Sequence, residues 1–157
     1  MSEPGLNILE AIRIALDAEQ RARALYVDAV SKTTQAACRK LFEQLADFER
    51  YHFDKLTALE KSLREKGAFI SYEGREMPAT ELRPFRTIED PDHMSVMQIV
   101  TLAIEEERKA EKRYTDLIPQ TADPEGQAMF KQLAKEEHAH QRTLREAYFI
   151  LSNRGTL

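Results

Sequence analysis

The chain of 157 residues has no tryptophan, one cysteine and five glycines. A single cysteine, Cys38, excludes an intrachain disulfide and a cysteine-rich metal site. No apolar run approaches the roughly 20 residues that a membrane-spanning helix needs. The net charge is −4, and acidic and basic residues alternate without forming a basic stripe for nucleic acid. These absences argue against a membrane or a nucleic acid as the partner of this chain.

The composition favours one helical domain. The abundance of Ala, Glu, Lys, Leu and Arg is typical of helices, and 157 residues can bury a core of their own. The first five residues lack the basic and apolar stretches of a secretory signal peptide. We therefore expect a single all-α domain over residues 1–157 and a reducing, cytoplasmic location.

Apolar residues recur at alternating spacings of three and four residues, which is the pattern of an amphipathic helix. The pattern predicts four helices, at residues 6–30, 35–66, 95–118 and 123–152. Short turns join the first helix to the second and the third to the fourth, so each pair should be an antiparallel hairpin. The crossover at residues 67–94 contains Gly and Pro and is long enough to run the full length of a helix bundle.

Individual residues predict where these helices end. The run from Ser31 to Thr34 predicts the first turn, and Gly67 predicts a left-handed residue after the second helix. Asp123 followed by Pro124 predicts the N-cap and first residue of the last helix.

The two hairpins repeat one another with an offset of 88 residues, since 137 − 49 = 88 and 140 − 52 = 88. Each copy carries one ExxH motif in its second helix and a glutamate and a tyrosine in its first. The matched pairs are Glu19 and Glu107, Glu49 and Glu137, His52 and His140, and Tyr26 and Tyr114. The fold predicted by this repeat is a four-helix bundle made of two repeated helical hairpins.

The glutamates and histidines of the repeat occupy positions where the apolar stripes would otherwise continue. An isolated buried carboxylate costs several kcal/mol, so four of them need compensation. Two divalent cations would balance four carboxylates, and a Glu and a His at i, i+3 lie on one helix face. We predict a site for two metal ions, bridged by Glu49 and Glu137, and carboxylate and imidazole ligands suit iron or manganese.

Two alternatives accompany this interpretation. The acidic residues could form solvated faces, with His52 and His140 as ordinary core histidines. Tyr26 and Tyr114 could hydrogen-bond metal-bound carboxylates or serve only as core aromatics. Glu136 lies one position off the predicted ligand row and is expected to face solvent.

The motifs resemble those of the ferritin-like superfamily, and specifically its rubrerythrin branch. The segment at residues 19–26 resembles the ExxARxxY motif of the first helix, and residues 45–52 and 133–140 resemble the two LAxxExxH helices. The resemblance implies two iron ions held by Glu19, Glu49, His52, Glu107, Glu137 and His140. It also implies oxidation of Fe(II) by hydrogen peroxide or oxygen, and a homodimer.

Three departures from the family qualify these expectations. The chain lacks the CxxC pairs of a rubredoxin-like domain, so its electrons would come from an external redox protein. Ala110 stands where rubrerythrins carry an additional glutamate, and Arg50 stands where bacterioferritins carry a haem-binding methionine, so no haem is expected. The alternatives are an iron-binding or iron-delivery protein, and a dimanganese or metal-free interaction bundle.

Overall fold

The structure, a computed structural model, describes residues 7–79, 81–84 and 93–152. The helices in these residues are α1 (Ile8–Lys32), α2 (Ala36–Lys66), α3 (His93–Leu117) and α4 (Pro124–Ser152). Helix α1 packs on α2 and α3 packs on α4, and contacts between α1 and α3 join the two hairpins. The predicted all-α bundle of two helical hairpins is therefore confirmed.

The helix ends follow local capping chemistry. The side chain of Asn7 accepts a hydrogen bond from the Glu10 amide at 2.9 Å and caps α1. Gly67 has φ 67° and ends α2 in the left-handed conformation, as predicted. Asp123 Oδ1 accepts hydrogen bonds from the amides of residues 125 and 126, at 2.8 and 3.1 Å, which confirms it as the cap of α4.

The first turn of the chain is shorter than predicted. Ser31 and Lys32 belong to α1, because the Ser31 hydroxyl donates to the Asp28 carbonyl at 2.7 Å and Lys32 pairs with the Asp28 carboxylate at 2.9 Å. These local bonds extend the helix past the predicted end at residue 30. Helix α3 begins at residue 93 and ends at 117, against the predicted 95 and 118.

Charged residues divide the core of the bundle into two apolar clusters. One cluster surrounds Phe42, Val100 and Leu144, and the other surrounds Ile12 and Phe130. The predicted ligand row lies between them, at the middle of all the helices. Apolar burial on both sides therefore fixes the level at which these polar side chains meet.

The crossover passes along the bundle from one apolar cluster to the other. Phe69 packs against Phe130 of the second cluster, and Leu82 packs against the first cluster. Between these points the Tyr51 hydroxyl of α2 donates to the carbonyl of Glu73 at 2.6 Å. The crossover thus covers the face formed by α2 and α4; residues 80 and 85–92 of it lie outside the described residues.

Among the helices of the described residues, none combines the length and the apolar character needed to cross a membrane.

Candidate metal centre

All of the predicted metal ligands are buried at the middle of the bundle. None exposes more than 2% of its surface. They are Glu19 of α1, Glu49 and His52 of α2, Glu107 of α3, and Glu137 and His140 of α4. The alternative of solvated acidic faces is therefore wrong for these residues.

The buried side chains form two overlapping groups that can each hold a metal ion. One group is Glu19, Glu49, His52 and Glu137, and the other is Glu49, Glu107, Glu137 and His140; the ligand atoms within each group lie within 4.8 Å of one another. Glu49 and Glu137 belong to both groups. This sharing is what two bridging carboxylates between neighbouring ions would require.

The two histidines point the same nitrogen at the cluster. His52 Nδ1 lies 3.4 Å from Glu19 Oε1 and 3.4 Å from Glu137 Oε2, while His140 Nδ1 lies 3.4 Å from Glu107 Oε1 and 3.3 Å from Glu137 Oε1. Metal–ligand bonds near ~2.1 Å place neighbouring ligands about 3 Å apart. The spacing therefore matches atoms arranged around shared ions, with one Glu137 oxygen directed to each side.

Each tyrosine of the repeat holds a glutamate of the other hairpin. The Tyr26 hydroxyl donates to Glu107 Oε2 at 2.6 Å, and the Tyr114 hydroxyl donates to Glu19 Oε2. The remaining oxygen of each glutamate, Oε1, is buried without a hydrogen-bond partner. The tyrosines thus occupy one oxygen of each carboxylate and leave the other available to the cluster.

Glu136 is buried, contrary to the expectation that it faces solvent. It exposes 4% of its surface, and its Oε1 lies 2.7 Å from His52 Nε2. The reason is the crossover, which covers this face of α4 and directs the Tyr72 hydroxyl to Glu136 at 2.7 Å. His138, the next histidine on α4, is exposed and pairs with Glu111 at 3.3 Å.

His140 has no counterpart to Glu136. The position 88 residues before Glu136 is Phe48, since 136 − 88 = 48, and its ring packs edge-on against His140 with 4.7 Å between the ring centroids. Both nitrogens of His140 lack a hydrogen-bond partner within the described chain. His140 also lines a cavity of about 320 Å³ beneath Arg75 of the crossover.

Burial and mutual charge divide the carboxyl groups into two kinds. Burial raises the pKa of Glu49 and Glu137 well above its usual range, and the negative charges of Glu107 and Glu19 raise it further. Burial opposes ionisation of Glu19 too, but the charge of His52 acts together with the neighbouring Glu49 carboxyl and the Tyr114 hydroxyl, and their sum lowers the Glu19 pKa to about 2. The pKa of Glu107 is also lowered, because the neighbouring Glu137 carboxyl and the charge of His140 together outweigh its burial.

The histidines respond in the opposite sense. Burial alone would lower the pKa of both rings. Glu19, Glu137 and Glu136 together raise the pKa of His52 well above normal, and Glu107 and Glu137 together raise the pKa of His140 to about 9. These directions imply that, without metal, the six ligand side chains comprise two carboxylates, two imidazolium ions and two neutral carboxyl groups, with no net charge among the six; the Glu136 carboxylate beside His52 lies outside this count.

A narrow gap between α1 and α3 leads toward the cluster from the opposite face. Its volume is about 10 Å³, and alanines 18, 22 and 110 line it beside Glu19 and Glu107. That volume is about the size of one water molecule. The gap therefore suits a diatomic or similarly small molecule rather than an organic substrate.

Comparison with known proteins supports the fold. The chain is similar to a solved structure of a hypothetical protein from Pyrococcus furiosus, with a TM-score of 0.75 and 23% sequence identity over 97% of this chain and 94% of that chain. No family model matches the chain, and no curated protein matches it. At this level of identity the likeness extends to the fold alone.

Proposed function

We propose that this protein is a di-iron carboxylate protein, similar to the rubrerythrins, which oxidises Fe(II) with hydrogen peroxide or oxygen. The observation that carries the proposal is the convergence of buried, unpartnered ligand atoms at one level of the bundle. In this proposal Glu19 and His52 hold one ion and Glu107 and His140 hold the other. The remaining carboxylates, Glu49 and Glu137, bridge the two ions.

Buried ligand atoms without hydrogen-bond partners would lower the stability of a protein that functions without metal. Oxygens of all four glutamates and Nδ1 of both histidines are buried without hydrogen bonds. Leaving one such group unsatisfied costs roughly 1–3 kcal/mol, and more if it is charged. A set of oxygen and imidazole nitrogen donors without a thiolate suits iron or manganese. Bound cations would satisfy these atoms, which supports a resident metal over a metal-free interaction bundle.

When bound, two ferrous ions supply the two electrons that reduce an O–O bond. The protein's own residues restrict and orient this chemistry. Tyr26 and Tyr114 hold the two terminal carboxylates, and burial raises the pKa of both hydroxyl groups, so both remain protonated donors. The small gap beside Glu19 and Glu107 can admit a molecule of about the size of water, which is compatible with oxygen or hydrogen peroxide as the oxidant.

Turnover requires a source of electrons outside this chain. The sequence contains one cysteine and hence no CxxC pair that could hold a rubredoxin-type iron. We therefore assign the donor role to an external redox protein. The proposal includes a homodimer, which light scattering on the purified protein would test.

The proposal is tested by loading the protein anaerobically with Fe(II) and adding hydrogen peroxide or oxygen in separate experiments. We expect two iron ions per chain and two ferrous ions oxidised per peroxide, followed by a stop until a reductant is added. His140→Ala should lose this stoichiometry, whereas His138→Ala, which alters an exposed histidine on the same helix, should keep it.

Two other outcomes would replace the proposal. Iron that binds at this stoichiometry but survives peroxide unchanged would favour an iron-binding or iron-delivery protein. Protein purified without added metal that contains manganese, and that keeps it in the presence of iron, would favour a dimanganese site.

A further inference from the structure

The carboxylate of Glu136 accepts hydrogen bonds on both of its oxygens. Oε1 accepts from the Tyr72 hydroxyl at 2.7 Å and lies 2.7 Å from His52 Nε2, while Oε2 accepts from the Arg75 amide at 2.9 Å and from Gln132 Nε2 at 2.8 Å. A carboxylate that is saturated with donors cannot itself donate. His52 Nε2 must therefore carry the hydrogen of this contact, which leaves Nδ1 directed at the cluster.

The crossover fixes Glu136 in this position. Its backbone passes so close at Gly74 that an added Cβ would lie 2.5 Å from Glu136 Oε2. Glycine allows this approach without displacing the ends of the Glu136 and Gln132 side chains, and the approach brings the Arg75 amide within bonding distance of the same oxygen. Glu136 is thus held by two bonds from the crossover and one from its own helix.

The other histidine of the repeat is less constrained. His140 packs against Phe48 at the position equivalent to Glu136, and its Nε2 is buried without a partner beside the cavity of about 320 Å³. The ligands of the two halves are otherwise matched, residue by residue, in the repeat. In the described residues the two halves therefore differ in the side chain that contacts each imidazole: Glu136 contacts His52, and Phe48 contacts His140.

We propose that Glu136 is a positioning residue that makes the two metal positions unequal, so that the position of Glu19 and His52 binds the first divalent ion. The position of Glu107 and His140 then binds the second ion with lower affinity. A histidine whose ring is already oriented with Nδ1 toward the metal position loses less freedom on binding, and removal of such an outer partner typically costs about 10- to 100-fold in affinity. This inference rests on the proposed function only in requiring that the cluster binds metal.

The test is a titration of the metal-free protein with Zn²⁺, which is diamagnetic and redox-inactive. Calorimetry against a competing chelator should resolve two binding steps. Nitrogen-15 NMR of labelled histidines should show His52 changing at the first equivalent and His140 at the second. Glu136→Ala should weaken the first step by about 10- to 100-fold and leave the second unchanged.

Two further variants separate positioning from a general structural role. Glu136→Gln can still accept from His52 Nε2 through its amide oxygen, so it should retain most of the affinity that Glu136→Ala loses. Glu111→Ala removes the carboxylate that pairs with His138 outside the cluster, and it should leave both binding steps unchanged.

The outcomes distinguish this inference from the proposed function. Two equal affinities, with both histidines responding together, would overturn the inference while the metal site stands. Equal weakening of both steps in Glu136→Ala and Glu136→Gln would also overturn it, by showing that Glu136 supports the fold generally. No binding of Zn²⁺ at all would overturn the proposed function and this inference together.

Discussion

Binding of two divalent ions should release close to four protons at neutral pH. Without metal, Glu49 and Glu137 have raised pKa values and hold one proton each, and His52 and His140 are imidazolium ions. A metal ligand must be deprotonated, so all four groups give up a proton. The count is two from the carboxyl groups and two from the imidazoles.

The reason for this number is charge balance in a medium of low dielectric constant. Two ions bring four positive charges, and four protons carry the same charge away. The six ligand side chains with their ions therefore carry no net charge before or after binding, so metal binding adds no buried charge to the centre. If the glutamates kept the ordinary pKa of 4.5 and the histidines that of 6.5, the carboxyl groups would release almost no protons at pH 7. The two histidines together would release about half a proton.

The assay is calorimetric titration of metal-free protein with Mn²⁺ or Zn²⁺ in buffers of different ionisation enthalpy at pH 7. The slope of the observed heat against that enthalpy gives the number of protons released. We expect a value near four for two ions, and an apparent affinity that rises steeply with pH. A value near one-half would refute the assignment of protons to the cluster.

The same shifts predict how the stability of the metal-free protein depends on pH. The pKa of His140 is raised to about 9, so its protonated ring stabilises the fold. This contribution is complete below pH 6.5 and is lost as the pH rises through 9. It amounts to about 3 kcal/mol for the fully buried ring. The raised pKa values of Glu49 and Glu137 act in the same direction above pH 4.5. The lowered pKa of Glu19, about 2, gives the opposite dependence of stability on pH, but only in acid. Its contribution is present above pH 4.5 and is lost as the pH falls toward 2.

Melting curves with chelator should therefore move to lower temperature between pH 6 and pH 9, and saturating metal should remove most of this dependence. A melting temperature for the metal-free protein that stays constant or rises over that interval would contradict the charge state derived for the cluster.

Three substitutions test other parts of the site. Glu137→Ala should lose both ions while Glu19→Ala keeps about one, by metal analysis after Fe(II) loading; equal loss would contradict the bridging role. Ala110→Leu should fill the gap between α1 and α3 and slow oxidation severalfold in stopped-flow traces without changing the metal content. The exposed change Ala24→Leu is its control, and equal rates in the two variants would refute entry through the gap. Gly74→Ala should displace the ends of the Glu136 and Gln132 side chains and weaken the first Zn²⁺ step in the same titration; an unchanged titration would show that the close approach does not matter.

The sequence predicted the ligand row because a repeat and a helical period act together. Residues that match at an offset of 88 occupy equivalent positions in two copies of one hairpin. Because they also fall in the helical period of the apolar residues, they lie on the side of each helix that faces the core. Glu19 and Glu107 are therefore found without any knowledge of the contacts. The pattern does not reveal that Tyr26 and Tyr114 each bond the glutamate of the other hairpin, because that depends on how the hairpins pack.

Glu136 shows where the periodicity argument fails and what could have corrected it. Helical phase places it beside the ligand row, on a side that a bare bundle would leave open to water. The crossover closes that side, and its Gly- and Pro-containing sequence has no period from which its path could be read. One signal was nevertheless present in the sequence: the equivalent residue of the first copy is Phe48, a large apolar side chain of the kind that is usually buried, which would predict a buried position in the second copy too.

The asymmetry of the centre follows from the connectivity of the chain. Two identical hairpins could be arranged symmetrically, but they need one connection between them, and a single connection can cover only one face of the bundle. Here it covers the face of α2 and α4, where Tyr72 and the Arg75 amide hold the carboxylate behind His52. The opposite face, between α1 and α3, keeps the small gap beside Glu19 and Glu107. A long crossover therefore gives the repeated set of buried side chains two different sides, one where Glu136 contacts His52 and one that keeps a small gap beside Glu19 and Glu107.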